Sequence, residues 1–506
     1  MVENILNRED LLMERENQFP SPMYRSEILE PHFQIMKSNL FDMLMSIHYA
    51  HALMMTEEGI INKEKGRKIL EGLEEVEVIK DKLDYSPEYE DLFFLIAGKL
   101  EEFIGEDLAG DLHIGRSRND IDSTLFRMAL RDRTYQLMEG ICDLIEVTLH
   151  GASQYKDQVI LGYTHTQQAQ PTTLGHYLLG VVTFLKADLS RIQDYFKRLN
   201  KSAMGAAAFT GSPFPINRDR MAELLGFDGY IVNTYEAIGG AGYLLEGAST
   251  LSILAANLSR FLYDLLLWSM QEFGYIRLAE GHVQVSSIMP QKRNPVALEH
   301  SRVICNSVLG DALTVQNVLT NTPYGDIVDK EDELQPYIWR SFDGAIQLIR
   351  ILTAVLSAME VSRENIEDKV NGSFAVITGL TDLLVLKNLT SLREAYKLVS
   401  KLVKKLQVEK KGLNNIGGEM FKTVAKESLG RKIEINDGEI EKALDPAYFV
   451  QVRNLAGGPA PNSTQQMVEE YFEELESERE KNRKIANNLN YEERLKKEID
   501  RRMKGE

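Results

Sequence analysis

Proline interrupts this 506-residue chain only 14 times, and between prolines apolar residues return every three or four positions. In the stretch 176–200, HYLLGVVTFLKADLSRIQDYFKRLN, Leu178, Val181, Val182, Leu185, Leu189, Ile192, Phe196 and Leu199 form one broad stripe. That spacing is the α-helical period, and an internal proline would have broken it. The stretch 246–274 repeats the stripe with Leu251, Leu254, Leu258, Phe261, Leu262, Leu265 and Phe273, and 343–359, DGAIQLIRILTAVLSAM, supplies a third. Apolar faces this wide predict an all-α fold whose long helices are buried on several sides, in a bundle that also packs against other subunits.

Composition narrows the function classes. Charged residues at 26 % and apolar ones at 43 % fit a water-soluble globular protein. A formal net charge of −18 argues against nucleic acid or an anionic membrane as partner. No apolar run reads as a membrane span. The opening MVENILNREDLLMERENQF is charged throughout and lacks the apolar centre of a signal peptide. Cys142 and Cys305 are the only cysteines and form no CxxC, so neither a disulfide framework nor a cysteine zinc site is expected, and a reducing cytoplasm fits. With no GxGxxG or GxxxxGK[ST] and no metal-ligand spacing, no cofactor and no metal are expected.

Polar loops punctuate the helices: HIGRSRND (113–120), GYTHTQQAQP (162–171), VQVSSIMPQKRNP (283–295) and TPYGDIVDKED (322–332). The third carries Pro290 and Pro295, so it is no ordinary helix. It concentrates hydroxyls at Ser286 and Ser287, a cation at Lys292 and an amide at Asn294, groups suited to a carboxylate. The second places Thr164 beside His165, a side chain that passes protons near neutral pH. The first offers Arg116, Arg118 and Asn119 for anions and polar groups. Any one of these alone is as readily a helix-joining turn or a surface ion-pair cluster. His32, His51, His150 and His176 sit in helical patterns and read as structural histidines.

Together the loops carry a resemblance. SSIMPQKRNP closely resembles the signature of the fumarase/aspartase superfamily, GSSxMPxKxNP. HIGRSRND, GYTHTQQAQP, PINRDRMAELLGFDG (215–229), TDLLVLKNLTSLREAYKLVS (381–400) and LDPAYFVQVRNLAGGPAP (444–461) resemble the argininosuccinate lyase family, in that family's chain order. Adenylosuccinate lyases and carboxymuconate cycloisomerases share the signature but fit the other loops less well. The resemblance spans roughly residues 20–465. It implies a three-part subunit around a central long-helix bundle, four subunits joining their bundles, and active sites built from the loops of three of them. The expected division is an N-terminal helical domain over 1–112, the bundle with the catalytic loops over 113–365, a C-terminal helical domain over 366–465, and a charged tail over 466–506 that is a solvated helix or frays.

The implied reaction is anti elimination of fumarate from an N-succinyl amino acid, argininosuccinate being the leading substrate. By position Ser286 matches the catalytic base and His165 the group that protonates the leaving nitrogen, with Glu299 the carboxylate paired with that histidine. Lys292, Asn294 and Ser287 match the groups that hold the succinyl carboxylates. Asn119, Arg118 and Thr164 match substrate contacts, and Tyr324 matches a tyrosine that binds the amino-acid half. Departures concentrate on the leaving-group side. His48 stands where the family carries a serine. AIGGAGY (237–243) replaces a charged Ser-Asp-Arg-Asp segment, and neither Val328 nor Asp329 substitutes for the expected glutamine. Lys330 matches a family lysine only after a register shift. Val285 replaces the glycine before the serines. These departures leave open a lyase acting on a different N-substituted aspartate, and a catalytically silent structural relative stays as the contrasting reading.

Overall fold

The computed structural model describes residues 19–503; the charged opening stretch read above lies outside them but for its last residue, Phe19. Helices α1 (Glu30–Glu57), α2 (Lys63–Val78) and α3 (Leu92–Ile104) form the N-terminal part. The body follows as α4 (Arg118–Gln154), α5 (Leu174–Leu199), α6 (Gly242–Ser269), α7 (Val296–Val318) and α8 (Gln335–Ala358). α4 is about 55 Å long at 1.5 Å per residue. Its start is fixed by a capping box in which the Ser117 side chain and Asp120 satisfy each other's backbone N–H groups.

The periodic stripes read from sequence are the buried faces. Val182, Leu185, Ile192 and Leu199 of α5 pack with Leu251, Leu254, Leu258 and Leu265 of α6 in one continuous core that also takes in α1 to α4. Residues 376–450 carry a second core, centred on Leu380, Leu398, Leu402, Phe421, Ile440 and Phe449.

Two expectations are corrected. The segments Gly242–Ser269 and Val328–Ala358 are long and apolar enough to cross a membrane, and 44 % of each apolar window is buried inside the chain. The α6 stripe widens onto a second face, leaving Leu245, Ile253 and Tyr263 exposed. The tail is helical, as one of its two readings had it, but it packs on the body rather than standing in solvent. Helix α9 (Pro461–Leu489) lies along α4, where Arg479 reaches Asp143 at 2.9 Å and Glu146 at 2.6 Å. Helix α10 (Tyr491–Met503) returns to the N-terminal part, burying Tyr491, Leu495 and Ile499. These three recur every four residues, so one helix face is apolar in spite of the charge around it. The fully buried Arg131 of α4 stacks its guanidinium on Tyr491 and Phe227 and donates to the Leu225 carbonyl at 2.7 Å.

Candidate active site

Two of the four polar loops are β-hairpins. In the first, β1 (Val159–Thr164) pairs antiparallel with β2 (Gln167–Thr173), Thr164 opposite Gln167, so His165 and Thr166 alone make the turn. Both have positive φ, 52° and 60°. Two-residue hairpin turns of this hand are the natural place for Asn-Gly, because other residues clash there. A β-branched threonine at φ 60° is strained, and the strand pairing holds this turn, with His165, at an exposed tip. The hairpin base is anchored: Gln170 donates to Thr378 at 3.0 Å, and His176 meets Thr172 and the Gly457 carbonyl. His176 and His51, which meets the Ile114 carbonyl at 3.0 Å, are thus structural, as read from sequence. His32 meets Glu333 at 3.2 Å.

The second hairpin carries the serine loop. β3 (Gln284–Val285) pairs with β4 (Arg293–Asn294), and the tip closes through Ser286 N–H to the Lys292 carbonyl at 3.4 Å. Val285 lies in extended backbone opposite Arg293, where a β-branched side chain fits; the missing glycine costs nothing there. Arg293 anchors the base by donating to the Leu278 carbonyl at 2.8 Å and pairing with Glu280. The Ser286 Oγ accepts two backbone N–H groups, from Met289 at 3.1 Å and Ile288 at 3.4 Å. Two donors aimed at a hydroxyl oxygen favour its ionised form over its neutral one. Ser287 and Lys292 are exposed and Asn294 half-buried, and around them Ile288 and Val285 stand 82 and 66 % exposed. Apolar groups so exposed on a tight loop need a cover from outside it.

The third cluster gathers at the start of α4, where Arg118 and Asn119 fall in the first helical turn. Arg118 is held by Asp91 at 3.0 Å and Asp122 at 3.3 Å. Asn119 donates to the Ala208 carbonyl at 3.3 Å. Asp120 accepts the N–H groups of Gly205 and Ala207, both at 2.9 Å, tying the 205–208 loop to the helix. Burial pushes the Asp120 carboxyl up to about 6 even so. Tyr324 donates its hydroxyl to Glu236, and Tyr235 donates to the Tyr324 carbonyl at 2.9 Å. A side chain on Gly239 would meet Gly325 backbone at 3.2 Å and the Tyr324 ring at 3.4 Å, so the small residues of AIGGAGY let the two segments approach.

Two residues stand apart from their expected roles. His48 does not face an open cleft: it is 2 % exposed, and its Nδ1 accepts from Arg116 at 2.9 Å. Burial, and then the Arg116 charge, hold this imidazole well below its usual range. Arg116 keeps Nε and Nη2 without a partner among the described residues, and burial brings its guanidinium down to about 9. Lys330 is also withdrawn. It is 6 % exposed, donates to the Ile238 carbonyl and pairs with Asp326 at 3.2 Å.

Within one chain, then, Asn119 and Tyr324 are joined through the 205–208 loop and Tyr235, whereas His165 and Ser286 sit on separate hairpins. Glu299, exposed in the first turn of α7, makes no bond to His165 among the described residues. Sequence reasoning passed over Glu236, Asp120 and the Arg116–His48 pair; only Asp120 had a local signal, the Ser117-to-Asp120 capping spacing. Among the described residues no group of three or more His, Cys, Asp or Glu is placed to hold a metal ion.

Known proteins match this arrangement along most of the chain. The family described as "Lyase" matches residues 25–310. The argininosuccinate lyase 2 of Agrobacterium fabrum is 35 % identical over 457 residues, 90 % of this chain and 91 % of that one. The argininosuccinate lyase of Methanothermobacter thermautotrophicus is 35 % identical over 442 residues, 87 % of this chain and 94 % of that one. The crystal structure of EDDS lyase in complex with formate superposes with a TM-score of 0.86 at 30 % identity, covering 96 % of both chains. The chain therefore belongs to the argininosuccinate lyase family of the fumarase/aspartase superfamily.

Proposed function

We propose that the protein is a carbon–nitrogen lyase that eliminates fumarate from an N-succinyl amino acid, with argininosuccinate, cleaved to arginine and fumarate, as the leading substrate. The observation that carries this reading is the Ser286 hydroxyl, capped by two backbone N–H groups in a loop that also brings Lys292 and Asn294. Breaking a C–N bond beta to a carboxylate requires loss of a weakly acidic C–H proton. The Ser286 oxygen takes it, and negative charge moves into the neighbouring carboxylate. Lys292, Asn294 and Ser287 hold that charge. The C–N bond breaks, and His165, oriented by Glu299, returns a proton to the leaving nitrogen. Thr164, Asn119 and Tyr324 position the substrate. Arg118, already engaged by the carboxylates of Glu90, Asp91 and Asp122, steadies the start of α4 beside Asn119.

The active species in this reading is a cytoplasmic homotetramer with shared sites and no cofactor. Its support is the exposed apolar face of the bundle, where Ile253 and Tyr263 of α6 and Val303 and Leu313 of α7 lie uncovered, together with the exposed Val285 and Ile288. A neighbouring subunit that covers the serine loop also excludes water from it, which strengthens every charge interaction inside. A second reading, another N-substituted aspartate as preferred substrate, is favoured by the withdrawal of Lys330 from the leaving-group side and by the likeness to EDDS lyase. Purified protein offered argininosuccinate and a panel of N-substituted aspartates, with fumarate followed by ultraviolet absorbance, tests both. Release from none of them would leave the silent structural relative.

A further inference from the structure

The segment 202–231 is a loop closed at its neck. Ser202 and Tyr230 pair in an isolated bridge, the Ser202 N–H donates to the Gly229 carbonyl at 2.9 Å, and the Ile231 N–H donates to the Ser202 carbonyl at 2.9 Å. One end of the loop serves the candidate site: Gly205 and Ala207 are bound to Asp120, and the Asn119 amide donates to Ala208. Apolar contact alone holds this end weakly, since Ala203 and Ala206 pack in a small cluster of their own with Ala237 and Ile238. The other end, around the short helix Arg218–Leu224, enters the main core through Met221, Leu225 and Phe227. There it meets the C-terminal helix α10.

The meeting is specific. The buried Arg131 guanidinium lies 4.3 Å from the Phe227 ring centroid and 4.9 Å from that of Tyr491, and it donates to Asn200 Oδ1 at 3.4 Å as well as to the Leu225 carbonyl. A guanidinium without water depends on such contacts, so losing one ring face disturbs the rest. Asn488, in the last turn of α9, donates to Asp228 at 3.2 Å. Gly226, at φ 71°, passes so close that a side chain there would strike the Asn488 carbonyl. Arg220 ties the same short helix to Glu57 of α1 at 2.8 Å and to Glu498 of α10. Arg218 carries the placement to the site end of the loop, donating to the Met204 and Ile231 carbonyls, both at 2.9 Å. Met204 precedes Gly205, so the path from Tyr491 to Asn119 is continuous, each link a hydrogen bond, a ring contact or a helix.

We infer that Tyr491 and Asn488, at the junction of α9 and α10, are positioning residues: the C-terminal tail clamps the 225–228 end of the loop and thereby fixes the 205–208 end on which Asn119 rests. The inference rests on the proposed elimination, in which Asn119 contacts the substrate. Tyr491 and Asn488 touch neither Asn119 nor the substrate; they act through Arg131, Asp228 and Arg218. A loop clamped beforehand loses less freedom when substrate binds. Releasing the clamp therefore weakens binding and leaves bond breaking at Ser286 unchanged.

The test uses the full-length protein carrying Tyr491→Ala, Tyr491→Phe or Asn488→Ala. Hydrogen exchange read by mass spectrometry follows peptides covering 203–209, with peptides of α6 as the internal reference. Tyr491→Ala is expected to speed exchange in 203–209 at least about tenfold while α6 is unchanged. For the fastest-cleaved N-substituted aspartate, KM should rise about tenfold with kcat within about twofold. Tyr491→Phe keeps a ring against Arg131 and should restore exchange and KM to near wild type. Asn488→Ala removes one hydrogen bond and should give the same pattern at about threefold; it decides the matter if Tyr491→Ala does not fold. Unchanged exchange in 203–209 overturns the clamp. So does a fall in kcat with KM unchanged, the signature of less folded enzyme and a merely structural role. If 203–209 loosens but wild type releases no fumarate from any N-substituted aspartate, the clamp stands and the elimination reading fails. If wild type releases fumarate and all three variants match its KM and kcat, the elimination reading stands and the clamp fails.

Discussion

Ser286 and His165 ride on short hairpins with exposed tips, whereas Asn119 is already bonded to the Ala208 carbonyl and Tyr324 to Glu236 within their own chain. In the proposed reaction the first pair carries the proton transfers, and the second set is placed toward the choice of amine. The difference follows from what each must do. On the proposed mechanism the base and the acid are effective only after water has left, and exposed projections suit groups that a neighbouring subunit or a closing loop is to cover. Groups that discriminate between amines gain by being fixed beforehand, because each side chain immobilised on binding weakens the complex.

The largest effect expected from this contrast is on the projecting side. Ser286→Ala removes the proton acceptor and should lower kcat at least about a thousandfold with KM nearly unchanged. A variant within tenfold of wild type would remove Ser286 from that role. Substitutions on the fixed side should move KM and substrate ratios first, so the pair of kinetic signatures separates the two regions.

Subunit sharing gives the next largest effect. Ser286→Ala and His165→Asn proteins, each inactive alone, should recover a measurable fraction of wild-type activity after subunit exchange, because some mixed sites draw both intact residues from different chains. Continued inactivity after exchange proven by mass labelling would place both residues of a site on one chain. A monomer by light scattering would end the shared-site proposal.

His48 sharpens the boundary between the regions. Replacement by serine leaves the buried Arg116 Nη1 without its acceptor, at a cost of about 1–3 kcal/mol. The melting temperature should fall by a few degrees, and kcat/KM for different N-succinyl amines should fall together, with their ratios within about twofold. A tenfold change in one ratio would return His48 to the substrate. The same cluster sets an acid limit. Burial, then the Arg116 charge, lower His113 from 6.5 to about 4, and His48 is lowered likewise. Both are neutral in the fold while the unfolded chain binds protons near 6.5, so stability is full above that pH and declines as pH falls through about 4. His113→Gln should flatten the decline; a melting temperature that stays level in wild type across that window would contradict it.

Much of this was legible in the sequence because helix period and loop chemistry are local. The stripes of α5 and α6 became core as spaced, and SSIMPQKRNP marked the serine loop before any fold was known. Three features were not legible. The role of His48 depends on which face of α1 it occupies, and its partner there, Arg116, lies 68 residues further along the chain. GYTHTQQAQP has no clean alternation of apolar and polar residues and no Asn-Gly, so nothing local announced a hairpin. The α10 face of Tyr491, Leu495 and Ile499 was masked by dense charge, although its four-residue spacing is helical. For His48 and Tyr491 the deciding partners, Arg116 and Arg131, lie far away in the chain; the hairpin pairs near neighbours, and what hid it was a turn made by residues that ordinarily avoid positive φ.

The smallest effect belongs to the turn itself. Thr166 at φ 60° and His165 at φ 52° hold conformations that cost on the order of 1–3 kcal/mol each for ordinary side chains. Thr166→Gly removes the clash of the β-branched carbon but adds freedom to the unfolded chain, worth roughly 0.5–1 kcal/mol in the opposite direction. A net stabilisation of about 1 kcal/mol should remain, read as a small rise in melting temperature. Activity should move the other way. If His165 protonates the leaving nitrogen as proposed, a glycine that lets the tip sample other directions should lower kcat by a fewfold with KM unchanged. Thr166→Asn, which tolerates positive φ but restricts the chain more than glycine, should keep most of the stability and lose less activity. If Thr166→Gly lowers the melting temperature instead, the threonine contributes more through its Oγ1 bond to the His165 carbonyl at 2.6 Å than its backbone costs, and the turn is not a store of strain.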